Sequence, residues 1–345
     1  MEHADELVFL LFRQHKRFFT ESALLLLAFA MVPVVAGGQN APAPEKPASE
    51  KHDAAVRTQM HNVDYHFADN VAVHIKSLNG ALVPVGDHEF PVLDDKNSFR
   101  IRVDAAEIAI SPADLGNLLN SYAFARPHSP LAGISVAIAN GQLKIKGKLH
   151  DKGDIPFGTI GMLSPTPDGK VRLHSEKIKA LHVPVKGLMD AFGVEIDDLI
   201  KTGKIPGVQA EGDDLILDLS QILPPPHLEG KVTAIRIEGN AIVQIFGTPD
   251  KKPAEKLPNA NYVSCQGNQL RVGKLTMADA DVILSDLDPN DPLDFYLDHY
   301  KEQLAAGYTK ISTNFQVRVF VKDYDKLGKA KPPATKKNSN SPGTP

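Results

Sequence analysis

The sequence predicts an α+β fold, in which a strongly curved antiparallel β-sheet wraps around two or three short amphipathic helices. Three observations predict it. Two hairpins alternate along their strands about glycine-containing turns. Most other apolar runs between residues 64 and 247 also alternate with period two. Helical periodicity is confined to a few short segments that begin at proline.

Along the chain, Arg13, Lys16 and Arg17 precede an apolar run from Ala23 to Ala36, and Val34 and Ala36 give a small-residue cleavage pattern before Gly37. This predicts a signal peptide over 1–36. The run is shorter than the about 20 residues a bilayer span needs and holds Pro33, so cleavage near Ala36 is expected over an uncleaved anchor. Residues 37–58, rich in Pro, Ala and charge, read as a disordered linker.

A main domain is expected over 59–247. Val71, Val73 and Ile75 alternate, as do Phe99, Ile101 and Val103. SPADLGNLLNSYAF then offers Ser111 as N-cap, Pro112 at the first helical position and Asp114 as capping partner, with Leu115, Leu118, Leu119 and Tyr122 as its stripe.

GISVAIANGQLKIKGKL follows. Ile134, Val136 and Ile138 share one face with Leu143, Ile145 and Leu149, and Asn140-Gly141 is the strongest short turn signal. A two-residue turn sets Ile138 opposite Leu143 and Val136 opposite Ile145.

Val171 and Leu173 alternate, then a second helix is expected from Pro184, carrying Val185, Leu188 and Phe192, to Gly193. Its proline lies 72 residues beyond Pro112, and both helices follow a strand, which suggests a duplicated strand–helix–strand unit. Leu215, Leu217 and Leu219 alternate. The hairpin 232–246 turns at Gly239-Asn240, and its return strand (Ala241, Ile242, Val243, Ile245, Phe246) reads as covered on both sides.

TPDKKPAEKLPNA (248–260) reads as a loop, and 261–325 as a block packed on the main domain. Within it a third helix is expected from Pro292 to Ala306, capped by Asp291 and ended by Gly307, with Leu293, Leu297, Tyr300 and Leu304 on one face. Residues 326–345 read as a disordered tail.

Composition narrows the function. A formal charge of −4 with no basic block argues against nucleic acid. Aromatics are 6% and Trp is missing, so the core is aliphatic. Cys265 is the single cysteine, so no intrachain disulfide forms, and NYVSCQGN offers no His or cationic partner for a nucleophile.

The run SDLDPNDPLDFYLDH sets Asp286, Asp288 and Asn290 at calcium-loop spacing, but Asp291 stands where Gly is needed and Leu297 where Glu is needed. A turn feeding a helix cap, with Asp294 near the positive helix end, is the simpler reading. His61, His66 and His74 lack zinc spacing and read as solvated. Asp197-Asp198 and Asp213-Asp214 are adjacent, so on a strand their carboxylates face opposite ways. No P-loop, G-x-S-x-G or G-x-G-x-x-G occurs.

The stretch Asp154–Gly247 resembles the LmeA-like phospholipid-binding proteins of bacterial envelopes. The resemblance rests on Asp168-Gly169-Lys170-Val171-Arg172-Leu173, the helix Pro184–Phe192, and Leu223-Pro224-Pro225 leading into the last hairpin. It implies a tubular lipid-binding (TULIP-like) fold with an aliphatic groove. Residues 268–310 resemble a block of uncharacterised exported bacterial proteins, which implies no activity.

An antiparallel sheet with one aliphatic face must bury it, and few helices are available to do so. The remainder is expected to enclose acyl chains. The expected lipid-binding walls are Ile134, Val136, Ile138, Leu143, Ile145, Leu173 and Leu217 on strands, and Leu115, Leu118, Leu119, Leu188 and Phe192 on helices. The function expected is a non-catalytic exported protein that binds or shuttles phospholipid-like lipid in the bacterial cell envelope. It needs no cofactor, and a membrane surface or envelope proteins are its further partners.

The alternative is a periplasmic scaffold with a closed core, docking protein partners through 285–324 and showing an exposed apolar patch there. A third reading is a metal-assisted hydrolase using the carboxylates of 286–298.

Overall fold

Asn140 and Gly141 both take positive φ (54° and 74°), as the tightest hairpin turn requires, and the strands they join pair Ile138 with Leu143 and Val136 with Ile145. The register expected from the alternation is the register found. A computed structural model describes residues 54–150, 154–176, 179–180, 205–247 and 261–327. The expected signal peptide, most of the linker, the helix Pro184–Phe192 with Leu188 and Phe192, the loop 248–260 and the tail after Leu327 lie outside the described residues.

The chain is α+β, dominated by large antiparallel sheets with a few short helices. Among the described residues the strands form two sheets rather than one. The first has 11 strands: β1 (Val56–Ala68), β2 (Val71–Pro84), β3 (Phe99–Ile110), β11 (Leu228–Glu229), β12 (Val232–Glu238), β13 (Ala241–Gly247), β14 (Tyr262–Val272), β15 (Leu275–Asp286), β16 (Leu293–Tyr296), β17 (Tyr308–Ile311) and β18 (Val317–Val321). Its spatial order is β12-β13-β3-β2-β1-β14-β15-β18-β17, with β11 on β3 and β16 on β1.

The second sheet has seven strands: β4 (Leu131–Ala139), β5 (Gln142–Leu149), β6 (Ile155–Pro165), β7 (Val171–Ser175), β8 (Lys179–Ala180), β9 (Val208–Glu211) and β10 (Asp214–Leu217). Side chains of both sheets meet in one core, which joins Val63, Ile108, Ile242 and Phe246 of the first to Ile134, Leu143, Leu173 and Leu217 of the second.

Helix α1 (Pro112–Leu118) starts as its sequence dictates. The Ser111 hydroxyl oxygen accepts the Asp114 amide at 3.0 Å, and Asp114 Oδ1 accepts the Ala72 amide at 3.2 Å, which ties the helix to β2. A wider π turn, Leu119–Ala123, continues it. There the Asn120 amide donates to Gly116 O (2.8 Å) and Ile134 O (2.7 Å), and Asn120 Oδ1 accepts the Ile134 amide (2.8 Å). One side chain thus bonds α1 to the edge of the second sheet.

Several elements depart from the sequence expectation. β1 begins at Val56, three residues inside the expected linker. Within β1, Asn62 has φ 52°, and the buried positions switch from Val56, Thr58 and Met60 to Val63, Tyr65 and Phe67. Leu219 does not extend the β10 alternation but opens the single turn α2 (Leu219–Ile222), capped by Asp218. The 261–325 block joins the first sheet: β14 pairs antiparallel with β1 from Arg57↔Gln266 to His61↔Tyr262.

The expected helix 292–306 divides. Residues Leu293–Tyr296 are β16, parallel to Val63–His66, and only α3 (Tyr300–Ala306) is helical, ending at Gly307 as expected. Asp294 therefore sits on a strand and not at a helix start. The hairpin β12–β13 turns at Gly239 (φ 58°), and Ile242, Val243, Ile245 and Phe246 are all buried, so β13 is covered on both faces as expected.

Candidate functional site

Where β1, β2, β3 and β13 pass beneath α1 and α2, the side chains leave an apolar recess. The strands contribute Phe67, Val73, Ile108, Ile110 and Phe246, and the helices Leu115, Leu118 and Leu219; Leu223 and Leu228 close it. Among the described residues Gln244 is the one polar residue in its wall. The void is about 40 Å³, and the recess reaches about 410 Å³ when every gap and the solvent at its opening are counted. A void of that size holds about one water-sized group, so as it stands the recess takes the end of a chain and not its length.

The expected wall residues fall into three sets. Leu115 and Leu118 line the recess. Ile134, Leu143, Ile145, Leu173, Leu217 and Leu119 are buried in the shared core, with Val136 and Ile138 half-buried against it. Leu188 and Phe192 lie outside the described residues. The hairpin that looked most like a groove wall is buried in the shared core, with β4 packed on α1. The sequence reading missed Phe67, Val73, Ile108, Ile110, Leu219, Leu223, Leu228, Gln244 and Phe246. Of these only Gln244 carried a signal of its own, as a polar residue in an apolar strand.

Cys265 is buried beside Thr58, whose hydroxyl donates to Ser264 O at 3.0 Å and lies 3.9 Å from the sulfur. Burial pushes its thiol up to about 11, so at neutral pH it is a protonated, packed group.

His66 points away from the core, as its parity requires, but it is not solvated. Its ring stacks on Tyr296 with centroids 3.6 Å apart, and Nε2 lies 2.6 Å from Asp294 Oδ1. His74 pairs with Asp64 at 2.7 Å.

The acidic run is a chain of side-chain-to-backbone turns: Asp286 Oδ1 accepts the Asp288 amide (2.9 Å) and Asp288 Oδ1 the Asn290 amide (3.1 Å). Among the described residues no group of three or more His, Cys, Asp or Glu side chains is placed to hold a metal ion. No helix among them is long and apolar enough to cross a membrane.

No family model, no curated protein and no solved structure matches the chain.

A second surface stands out. β17 is the edge strand of the first sheet, and Tyr308 (43% exposed), Ile311 (48%) and, in the turn after it, Phe315 (73%) show apolar surface to solvent. Phe315 is held there with φ 65° by a turn in which its amide donates to Ser312 O at 3.0 Å.

Proposed function

We propose that this protein binds the hydrocarbon part of a lipid without transforming it, at the recess beneath α1 and α2. The observation that carries this reading is the recess itself, whose wall among the described residues is apolar at every position but Gln244. Each methylene moved from water into such a wall gains about 0.8 kcal/mol, so affinity follows from chain length without a dedicated polar clamp.

The helices over the recess are short segments, Pro112–Leu118 with its π turn and Leu219–Ile222. A chain end enters the void, and the rest follows as α1 and α2 part. The resemblance of Asp154–Gly247 to LmeA-like phospholipid-binding proteins supports the ligand class. It also supports the finer form of the fold proposed here, a TULIP-like curvature of the sheets. The apolar run Ala23–Ala36 behind Arg13, Lys16 and Arg17 supports export to the cell envelope.

Native mass spectrometry of the protein purified gently from its own host tests the proposal. Adducts with phospholipid masses, displaced when Leu115 is replaced by Arg, are the expected result. A clean apo mass together with no uptake from vesicles overturns it.

The exposed edge at Tyr308, Ile311 and Phe315 favours a second reading, in which the chain is a scaffold for a protein partner. Under that reading Ile311→Lys with Phe315→Ser releases the partner and leaves any lipid adduct unchanged. Equal partner binding by the double variant removes it.

A further inference from the structure

We infer that Gln244 makes the recess a site for an apolar molecule bearing a hydroxyl group, whose proton the Gln244 amide oxygen accepts at the wall. The inference rests on the lipid-binding reading and names the ligand class within it. On β13, Ile242 and Phe246 face the core, and Gln244 between them shares their face, paired with Ile108 on one side and Ile235 on the other. Its Oε1 is buried and has no hydrogen-bond partner among the described residues. An amide carbonyl taken out of water without a donor is costly, and a leucine there would fill the same space at no such cost.

The chemistry of the occupant follows by comparing candidates. A single water fits a void of about 40 Å³, but a buried water needs two to four polar partners and this wall offers it one. A phosphate or carboxylate would face the negative end of the Gln244 dipole with no cationic residue among the described residues of the wall. An ether or a hydrocarbon end brings no donor. A hydroxyl on an aliphatic chain brings one donor for the one acceptor, and its carbons meet the ten apolar side chains of the wall.

The test compares decanol, decyl methyl ether and decanone, each displacing an environment-sensitive fluorescent fatty-acid probe from the full chain. Decanol is expected to bind about tenfold more tightly than the ether, which corresponds to about 1.4 kcal/mol. In Gln244→Leu that preference disappears while the ether binds at least as well as before.

Equal affinities of alcohol and ether for the unaltered protein overturn the inference and leave the lipid reading standing. So does a preference for decanone, which would mean that the amide presents its N–H. Retention of the alcohol preference in Gln244→Leu overturns it as well. If none of the three displaces the probe, or the probe itself does not bind, the lipid reading falls and takes the inference with it. The comparison on the unaltered protein decides even if the variant does not fold.

Discussion

Replacing Asp286 by Asn should stabilise this protein at pH 8 and do so much less at pH 5. Asp286 closes β15 and is 2% exposed. Its Oδ1 accepts the Asp288 amide, but its Oδ2 is buried and has no partner among the described residues. Lys326 pairs with Asp323 (2.6 Å) and Asp291 (3.0 Å). Burial, with a smaller push from the Asp323, Asp291 and Asp288 charges, raises the Asp286 carboxyl from 3.8 to about 7.

The sign follows from proton counting. Between about pH 4 and pH 7 the folded chain holds a proton that the unfolded chain has released, so stability falls as pH rises through that window and is level above it. Three pH units at 1.36 kcal/mol each come to about 4 kcal/mol, the most this group can withdraw. Asn keeps an acceptor for the Asp288 amide and carries no charge, so it escapes that loss. Urea unfolding at pH 5 and pH 8 samples the last two of those units: the unaltered protein should lose about 2–3 kcal/mol more than Asp286→Asn between the two. Parallel pH dependence of the two proteins, or a variant less stable at pH 8, would refute the reasoning.

Other outcomes follow from single contacts. Asn120→Ala strips the buried Ile134 N–H and C=O of their partner and should cost about 2–3 kcal/mol in chemical unfolding, whereas an exposed surface bond would cost almost nothing. Gly80→Ala would set a Cβ 2.0 Å from the Arg102 carbonyl oxygen across the β2–β3 bulge. A loss of about 3 kcal/mol is expected, read as a lowered melting temperature, while Gly86→Ala, with open space around it, should cost about 1 kcal/mol through its positive φ alone. Cys265, with its thiol pushed up to about 11, should resist a thiol reagent at pH 8 and react at once in denaturant; rapid labelling of the folded chain would contradict its burial.

Much of the fold was legible because it is local. The β4–β5 register follows from Asn140-Gly141 and the alternation around it, and the start of α1 from Ser111, Pro112 and Asp114 within one turn. The segment 292–306 was misread because two periods coincide in it. Leu293, Leu297, Tyr300 and Leu304 fit a helix face, but Leu293, Phe295 and Leu297 also alternate, and all three are buried. What decides between them is β1, which offers Val63–His66 as a parallel partner from more than two hundred residues away. A non-local partner leaves no mark on the segment it recruits. The switch in β1 shows in the sequence only as a change of phase, Met60 and Val63 standing three apart, and its cause, Asn62 in a left-handed conformation, leaves no stronger mark.

The candidate site was less legible, for a different reason. Alternation identifies which side chains face inward, but an inward side chain meets another side chain unless the opposing elements fail to fill the space. That failure depends on where α1, α2 and β13 come to rest, so Ile134, Leu143 and Ile145 became core while Leu115 and Leu118 reached the recess. One residue could have been singled out without coordinates. In the run Ala241-Ile242-Val243-Gln244-Ile245-Phe246 every position but one is apolar, and a strand buried on both faces has no outward place for a glutamine. Its amide must find a partner inside or stand ready for one that arrives, and among the described residues its oxygen finds none. A polar residue that breaks a two-sided apolar strand is thus a better pointer to a ligand than any of the aliphatic residues around it, because only the polar one is left unsatisfied when the ligand is gone.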